Sequence, residues 1–339
     1  MDLDFTEEQD LLRETVRGVC ARHCGLDVVR QLEDDPVGYP EKLWTQLLEL
    51  GVLDPDLTML DKAIVFQELG RAVAPSPAFA SAVVSAGALA RADRPAPLEE
   101  IIVPAWLEPE RGFGPNGVTA TFDGEVVRGV KRHVPFASSA DRLLVLTRDG
   151  LVLVDPRAGG VKLTQQMSIS SDTQYRVDFA SAPGELVVAD YWPLWHDTML
   201  DAIILAAAQA VGGARYALDI TVQYAKDRHQ FDKPLGAFQA LAHYLSDAVT
   251  ALDGAELLVW EAAWARSEGR PITKLAPMAK LFACTTFRDI TAMAQQIFGG
   301  VGFTVEYDIQ LYFRRAKQLQ LSWWDDRHLE ELVAAEVLD

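Results

Sequence analysis

Apolar residues fall at helical spacing from the start of the chain. In FTEEQDLLRETVRGVCARHC, residues Leu11, Leu12, Val16, Val19 and Cys20 share one helical face. Thr6, three residues before Gln9, has the form of a capping box. Leu43, Trp44, Leu47 and Leu48 predict a second helix that stops near Gly51, and LDKAIVFQELGRAVA a third that Pro75 and Pro77 break. SPAFASAVVSAGALARA predicts a fourth. Residues 1–97 therefore read as an N-terminal helical domain.

From Ile101 the texture changes to short runs of Val, Leu and Thr between Gly, Asn and Asp turns: VTATFDGEVVRGV, DRLLVLTRDGLVLVDP and TQYRVDFASAPGELVV. Residues 98–190 are expected to form a middle antiparallel β domain. Helical spacing returns near Pro193 in three long patterns, 198–228, 236–269 and 272–300, and a shorter one closes the chain at Leu329–Leu338. Residues 191–339 read as a C-terminal four-helix bundle, so the fold class is α+β. The longest apolar run, Ala202–Ala214, contains Gln209 and falls short of the ~20 residues that span a bilayer. It reads as a buried helix, with no membrane association.

Charge narrows the partners. The chain holds 49 Asp and Glu against 31 Lys and Arg, a formal net charge of -18, which argues against nucleic acid and anionic membranes because both demand clustered positive charge. An anionic ligand needs a local basic site, and Arg228 with Lys226 and Lys233, or Arg314 with Arg315 and Lys317, are the two places that offer one. The acidic amino terminus lacks the basic-then-apolar form of a signal peptide, which with three cysteines points to the cytoplasm. Cys20, His23 and Cys24 lack further ligands for a metal, and a helical turn with buried thiols is the reading. His196 and Asp197 are adjacent, so their side chains need not face one another.

Two motifs carry the chemistry. RHQFDKPLGAFQ, Arg228–Gln239, resembles the R-x-x-F-G-x-P-[IL]-x-x-[FL]-Q signature of the acyl-CoA dehydrogenase family, and QIFGGVGF, Gln296–Phe303, resembles its Q-[IL]-x-G-G-x-G-[FY] stretch. They stand in the family's order and separation. WTQLLELGVL, FQELGRAVAPSP, VRGVKRHVPFASSADRLLV and YFRRAKQLQL extend the resemblance over essentially the whole chain. It implies an acyl-CoA dehydrogenase-like fold in which Arg228, Phe231, Gln239, Gln296, Gly299 and Gly300 hold the ADP half of FAD across a subunit interface. An arginine fork suits phosphate oxygens, and paired glycines let backbone approach a cofactor closely.

The rest of the family's site is altered. Its T-E-P-G-A-G-S-D flavin loop is matched by Leu107, Glu108, Pro109, Glu110, Arg111 and Gly112, with bulk and charge in place of the hydroxyl and small residues. Its [WF]-I-T-N element becomes His133, Val134, Pro135 and Phe136, before Ala140 and Asp141, and Pro135 removes a backbone donor. The glutamate base of the late E-G-T element is matched by Trp323, followed by Trp324 and Asp325, and tryptophan cannot abstract a proton from carbon. Members that carry the base earlier align it near Ala202, beside Asp201, so the catalytic residue stays unassigned. The chain thus resembles the short, degenerate subunit of actinobacterial heterotetrameric steroid-type members, with FAD shared with a fuller acyl-CoA dehydrogenase subunit, an acyl-CoA substrate and an electron-transfer acceptor. A homotetramer with an unusual base and a non-enzymatic scaffold are the alternatives.

Overall fold

The computed structural model describes residues 4–33, 35–109, 112–169 and 172–338. Helix α1 (Glu7–His23) starts on the expected capping box: Gln9 N–H donates to Thr6 Oγ1 and Thr6 N–H to Gln9 Oε1, each at 3.2 Å. Each bond satisfies a donor that the helix start leaves without an internal acceptor. Thr6→Ala is expected to cost about 1 kcal/mol, read as a lower urea midpoint with an unchanged slope. Cys20 and Cys24 are buried one turn apart, and burial pushes the Cys20 thiol up to about 12.

Short helices α2 (Leu26–Gln31) and α3 (Glu41–Glu49) precede α4 (Met59–Arg71). Just past α4, Val73 is left-handed at φ +42, unusual for a β-branched residue. Backbone N–H groups of Ala72, Val73 and Ala74 close the helix on Glu68, Gly70 and Leu69 O, and Tyr312 Oη donates to Arg71 O at 2.8 Å and Arg315 Nη2 to Val73 O at 3.2 Å. A π-helical stretch, Phe79–Ser85, leads into α5 (Ala86–Arg91).

The middle region contains β1 (Ile102–Ala105), β2 (Thr121–Phe122), β3 (Val126–Pro135), β4 (Arg142–Thr147), β5 (Gly150–Val154), β6 (Val161–Gln166) and β7 (Gln174–Val188). The order is β1-β4-β5-β7-β3-β2, with β6 also on β7. The expected antiparallel character needs one amendment: β1 pairs with β4 in parallel, Ile102 opposite Arg142, making the sheet mixed. Both strands bury nearly every residue, as strands covered on both faces do. The long β7 pairs with β3 and β6 up to Pro183, then with β5 from Gly184. A β-carbon at Gly184 would lie 2.5 Å from Val152 Cγ1, which is why the crossover carries glycine.

Helix α6 (Trp192–Asp227) opens the last region with Pro193 in its first turn, where the missing N–H costs nothing. The two-residue strands β8 (His229–Gln230) and β9 (Lys233–Pro234) follow, then α7 (Gln239–Ser267), α8 (Leu275–Phe298), α9 (Ile309–Leu321) and α10 (Asp326–Leu338). The sequence reading did not count α9 as a helix; it buries Leu311, Tyr312, Arg315, Ala316 and Leu319 at helical spacing. By length and composition α6 is apolar enough to cross a membrane, but 72% of its most apolar window is buried inside the protein.

The chain divides into two compact units. One comprises Met1–Leu26, Thr58–Ala74 and Ile203–Asp339, the other Asp27–Leu57 and Pro75–Ala202. In the first, α4 and α6 cross at backbone distance: a β-carbon at Gly212 would lie 1.8 Å from Gln67 O, and one at Gly70 2.1 Å from Gln209 O. Only glycine permits that approach. In the second, the strands bury Val127, Leu143, Leu144 and Val152, and Trp106 packs on Trp195 with ring centres 5.8 Å apart.

Candidate functional site

All six residues expected to meet a cofactor lie in the first unit. At the end of α6, Arg228 N–H donates to Tyr224 O at 2.9 Å, continuing the helical pattern by one residue. The chain then folds back as a hairpin, with His229 opposite Pro234 and Gln230 opposite Lys233. Phe231 and Asp232 form its tip at φ +55 and +64, as a two-residue turn between twisted strands requires. Asp232 stands where the family signature has glycine, and aspartate visits this conformation more readily than most side chains. Leu235 N–H closes the loop on Arg228 O at 2.8 Å. Phe231, 86% exposed, meets Phe238 edge-on at 6.2 Å, and the Lys233 ammonium lies 4.1 Å from the Phe238 ring centre.

The second motif ends α8. Gly299, at φ +67 and ψ -144, donates its N–H to Gln295 O and turns the chain away. A β-carbon at Gly299 or Gly300 would meet nothing within 4 Å. The backbone demands glycine at 299, whereas nothing inside the chain demands it at 300; open space at both suits an external group. Aromatic rings bring the two motifs together. Tyr224 stacks on Phe298 with ring centres 4.2 Å apart and planes 19° apart, its Oη lies 3.5 Å from Phe298 O, and Tyr307 meets Phe298 edge-on at 5.9 Å. Sequence reasoning passed over this stack. The signal was present, since Tyr224 sits one helical turn before Arg228 and Phe298 lies between Gln296 and Gly299.

Among the described residues, the side chains of Arg228, Gln239 and Gln296 have no hydrogen-bond or ion-pair partner, and all three are exposed. A cationic fork, two amides and accessible glycine backbone form a donor set that fits the phosphates and adenosine of a dinucleotide. The other basic place differs from expectation. Arg315 is buried with its Nη2 donating to Val73 O, and Lys317 donates to Gln320 Oε1 at 3.1 Å, so these two cations are engaged within the fold.

The turn at the family's base position is also absorbed into the fold. Trp323 and Trp324 are both left-handed, at φ +56 and +70, which is strained for bulky side chains and persists only where surroundings over-determine it. Trp324 is buried, and the fully buried Lys280 donates to Trp324 O at 2.7 Å and Leu319 O at 3.1 Å. Burial pulls the Lys280 ammonium below its usual range. Asp325 Oδ1 accepts from His328 N–H at 3.0 Å and caps α10, as the acidic start of DDRHLEEL suggests.

In the second unit, Glu108 of the altered flavin loop turns inward. It accepts from Lys131 Nζ at 2.7 Å, from Thr119 N–H and Ala120 N–H at 2.9 Å, and from the Thr119 hydroxyl. Glu108 is 3% and Lys131 0% exposed. Burial opposes the Glu108 charge, yet Lys131 and the other donors outweigh it and hold the carboxyl below its usual range. Burial pulls Lys131 down to about 8 despite Glu108. Glu110 and Arg111 lie outside the described residues. Along the next element, His133 N–H donates to Gln166 Oε1 at 3.1 Å and Phe136 N–H to Thr173 O at 3.1 Å, while Pro135 has no N–H to offer. The donors at 133 and 136 are used internally.

Asp201, the one acid near the alternative base position, accepts from Arg91 Nη2 at 2.5 Å, and Asp197 accepts from Arg91 Nε at 2.8 Å. Arg91 thus holds both carboxylates as ion pairs one turn apart. His196 is half-buried, and burial lowers its affinity for a proton.

The family model described as acyl-CoA dehydrogenase, N-terminal domain, matches residues 6–92, and that described as acyl-CoA dehydrogenase, C-terminal domain, matches residues 194–322. "Acyl-CoA dehydrogenase IpdE2" of Mycolicibacterium smegmatis is 31% identical over 92% of this chain and 93% of its own length. The chain belongs to the acyl-CoA dehydrogenase family. Members of this family use FAD, and the resemblance and fold class expected from the sequence hold. Among solved structures, the "Tcur3481-Tcur3483 steroid ACAD G363A variant" matches with a TM-score of 0.85 and 27% identity, covering 98% of this chain and 99% of that one. The ChsE4-ChsE5 complex from Mycobacterium tuberculosis matches in fold, with a TM-score of 0.88 at 24% identity over 100% of this chain and 99% of that one.

Proposed function

We propose that this acyl-CoA dehydrogenase family chain is the non-catalytic member of a two-chain enzyme. It lends Arg228, Phe231, Gln239, Gln296, Gly299 and Gly300 to the ADP end of an FAD seated mainly in a fuller partner subunit. The observation that carries the reading is a contrast. Among the described residues Arg228, Gln239 and Gln296 are exposed and make no side-chain hydrogen bond or ion pair, whereas His133, Trp324 and Asp201, at the positions matching the flavin seat and the base, are each held by another residue of the chain.

FAD, when bound, supplies the hydride acceptor for α,β-dehydrogenation of an acyl-CoA thioester. This chain's part is electrostatic and positional: Arg228 meets phosphate charge that a protein of net charge -18 otherwise repels, and the glycines admit the cofactor's approach. Removal of the α-proton falls to the partner, since Trp323 has no basic atom and Asp201 is bound to Arg91. The substrate we assign is a steroid side-chain CoA ester, by likeness to the structure described as a steroid ACAD. The assembly would work in the cytoplasm and pass electrons to an electron-transfer acceptor.

Co-expression with the acyl-CoA dehydrogenase encoded beside it tests the assignment. One FAD per pair of chains is expected, with an isolated chain that is colourless and inactive. A lone chain that is fully flavinated and oxidises an acyl-CoA would establish the homotetramer instead, and a colourless, inert complex would establish a scaffold.

A further inference from the structure

We propose that Tyr224 is a positioning residue for the shared cofactor, stacking on Phe298 to fix Arg228 and the Gln296–Gly300 segment at one separation so that both grip the same ADP group. The proposal rests on the assignment of this half-site to FAD. Arg228 follows Tyr224 by one helical turn, and its N–H donates to the Tyr224 backbone carbonyl, so a shift of the helix end at Tyr224 carries the Arg228 backbone with it. Phe298 is the last residue of α8, two after Gln296 and next to Gly299. The stack at 4.2 Å therefore joins two motifs that lie far apart in sequence.

The hairpin's other contacts, Leu235 N–H to Arg228 O and the Phe231 and Lys233 contacts to Phe238, lie within the Arg228–Gln239 motif and do not tie it to α8. A cavity of about 420 Å³, lined by Val222, Ala225, Pro234, Gly236, Leu245 and Val249, opens between the end of α6, the hairpin exit and α7. The cavity leaves that side of the motif unpacked, and the stack contacts it from α8. The ring supplies most of the brace: an offset aromatic pair contributes about 0.5–1.5 kcal/mol beyond its buried area, while an Oη–O separation of 3.5 Å is at the outer limit of a hydrogen bond. Tyr307, 39% exposed, adds an edge contact from the solvent side.

The test uses the two-chain complex with Tyr224→Phe, Tyr224→Leu, Arg228→Ala, Tyr307→Leu and the double variant Tyr224→Leu/Arg228→Ala, following FAD release by the rise in flavin fluorescence after dilution. Tyr224→Phe keeps the ring and is expected to stay within about two-fold of wild type. Tyr224→Leu is expected to release FAD about ten-fold faster. In the Arg228→Ala background the same change is expected to add less than about three-fold, because a positioning residue acts through the group it positions. Tyr307→Leu is expected to speed release about three-fold at unchanged Tm, and it decides the matter if Tyr224→Leu fails to assemble. Wild-type release from Tyr224→Leu beside fast release from Arg228→Ala overturns the proposal alone, as does full additivity in the double variant. Unchanged release from Arg228→Ala overturns the half-site assignment and the proposal with it.

Discussion

Complexes carrying Arg228→Ala are expected to bind FAD about 100-fold more weakly than wild type, the loss of two charge-assisted hydrogen bonds to phosphate at about 1.5–3 kcal/mol each, less what water restores. The effect is large because the chain as a whole is acidic, so beyond Lys226 and Lys233 its field repels the phosphates. Arg228→Lys keeps the charge but loses the fork and is expected to sit about ten-fold below wild type. Equilibrium dialysis of FAD against the complex at two salt concentrations reads both, and the alanine variant is expected to show the weaker salt dependence. Unaltered affinity in the alanine variant would remove Arg228 from the site.

Glu108→Ala is expected to destabilise the β domain by about 3–5 kcal/mol, since it leaves the Lys131 ammonium buried with only Trp106 O at 3.4 Å for company. It also strips the acceptor from Thr119 N–H and Ala120 N–H. Urea unfolding of the isolated chain measures the loss, and a change below about 1 kcal/mol would contradict the picture. The pair also sets a pH signature. Lys131 sits at about 8 in the folded chain against its usual 10.5. Between those values the unfolded chain holds a proton the folded chain has released, so Lys131 makes stability rise with pH across that window. Lys131→Met is expected to abolish that rise. Glu108 works in the opposite range: its contribution is present above the usual carboxylate value of 4.5 and is lost as pH falls through its lower folded value.

Local patterns that need only neighbouring residues were legible in the sequence. The Thr6–Gln9 box, the break after α4 and the existence of a closing helix, which starts three residues before the expected Leu329, follow from spacing and cap chemistry. The hairpin at Arg228 was visible as a motif, and its residues lie in one unit. What spacing could not supply were partners distant in sequence. Glu108 looked like an intruding charge until Lys131 and Thr119 closed around it. Arg315 looked like a free cation until its guanidinium reached the end of α4. Asp201 stood as a stand-in base until Arg91 claimed it. Helix α9 was missed because its buried face includes Gln310, Arg315 and Gln320, which a hydrophobicity pattern discounts.

The Trp323–Trp324 turn bears on how such a chain could change over generations. A glutamate at 323 alone would sit beside Trp324, whose buried side chain and Lys280-bound backbone carbonyl fix the turn, and two residues before Asp325, which caps α10. The cofactor seat around 133–136 would still keep its donors bonded internally. On the two-chain reading proposed above, autonomy would require changes at several places far apart in the chain. On that reading, dependence on a companion subunit is expected to persist once established.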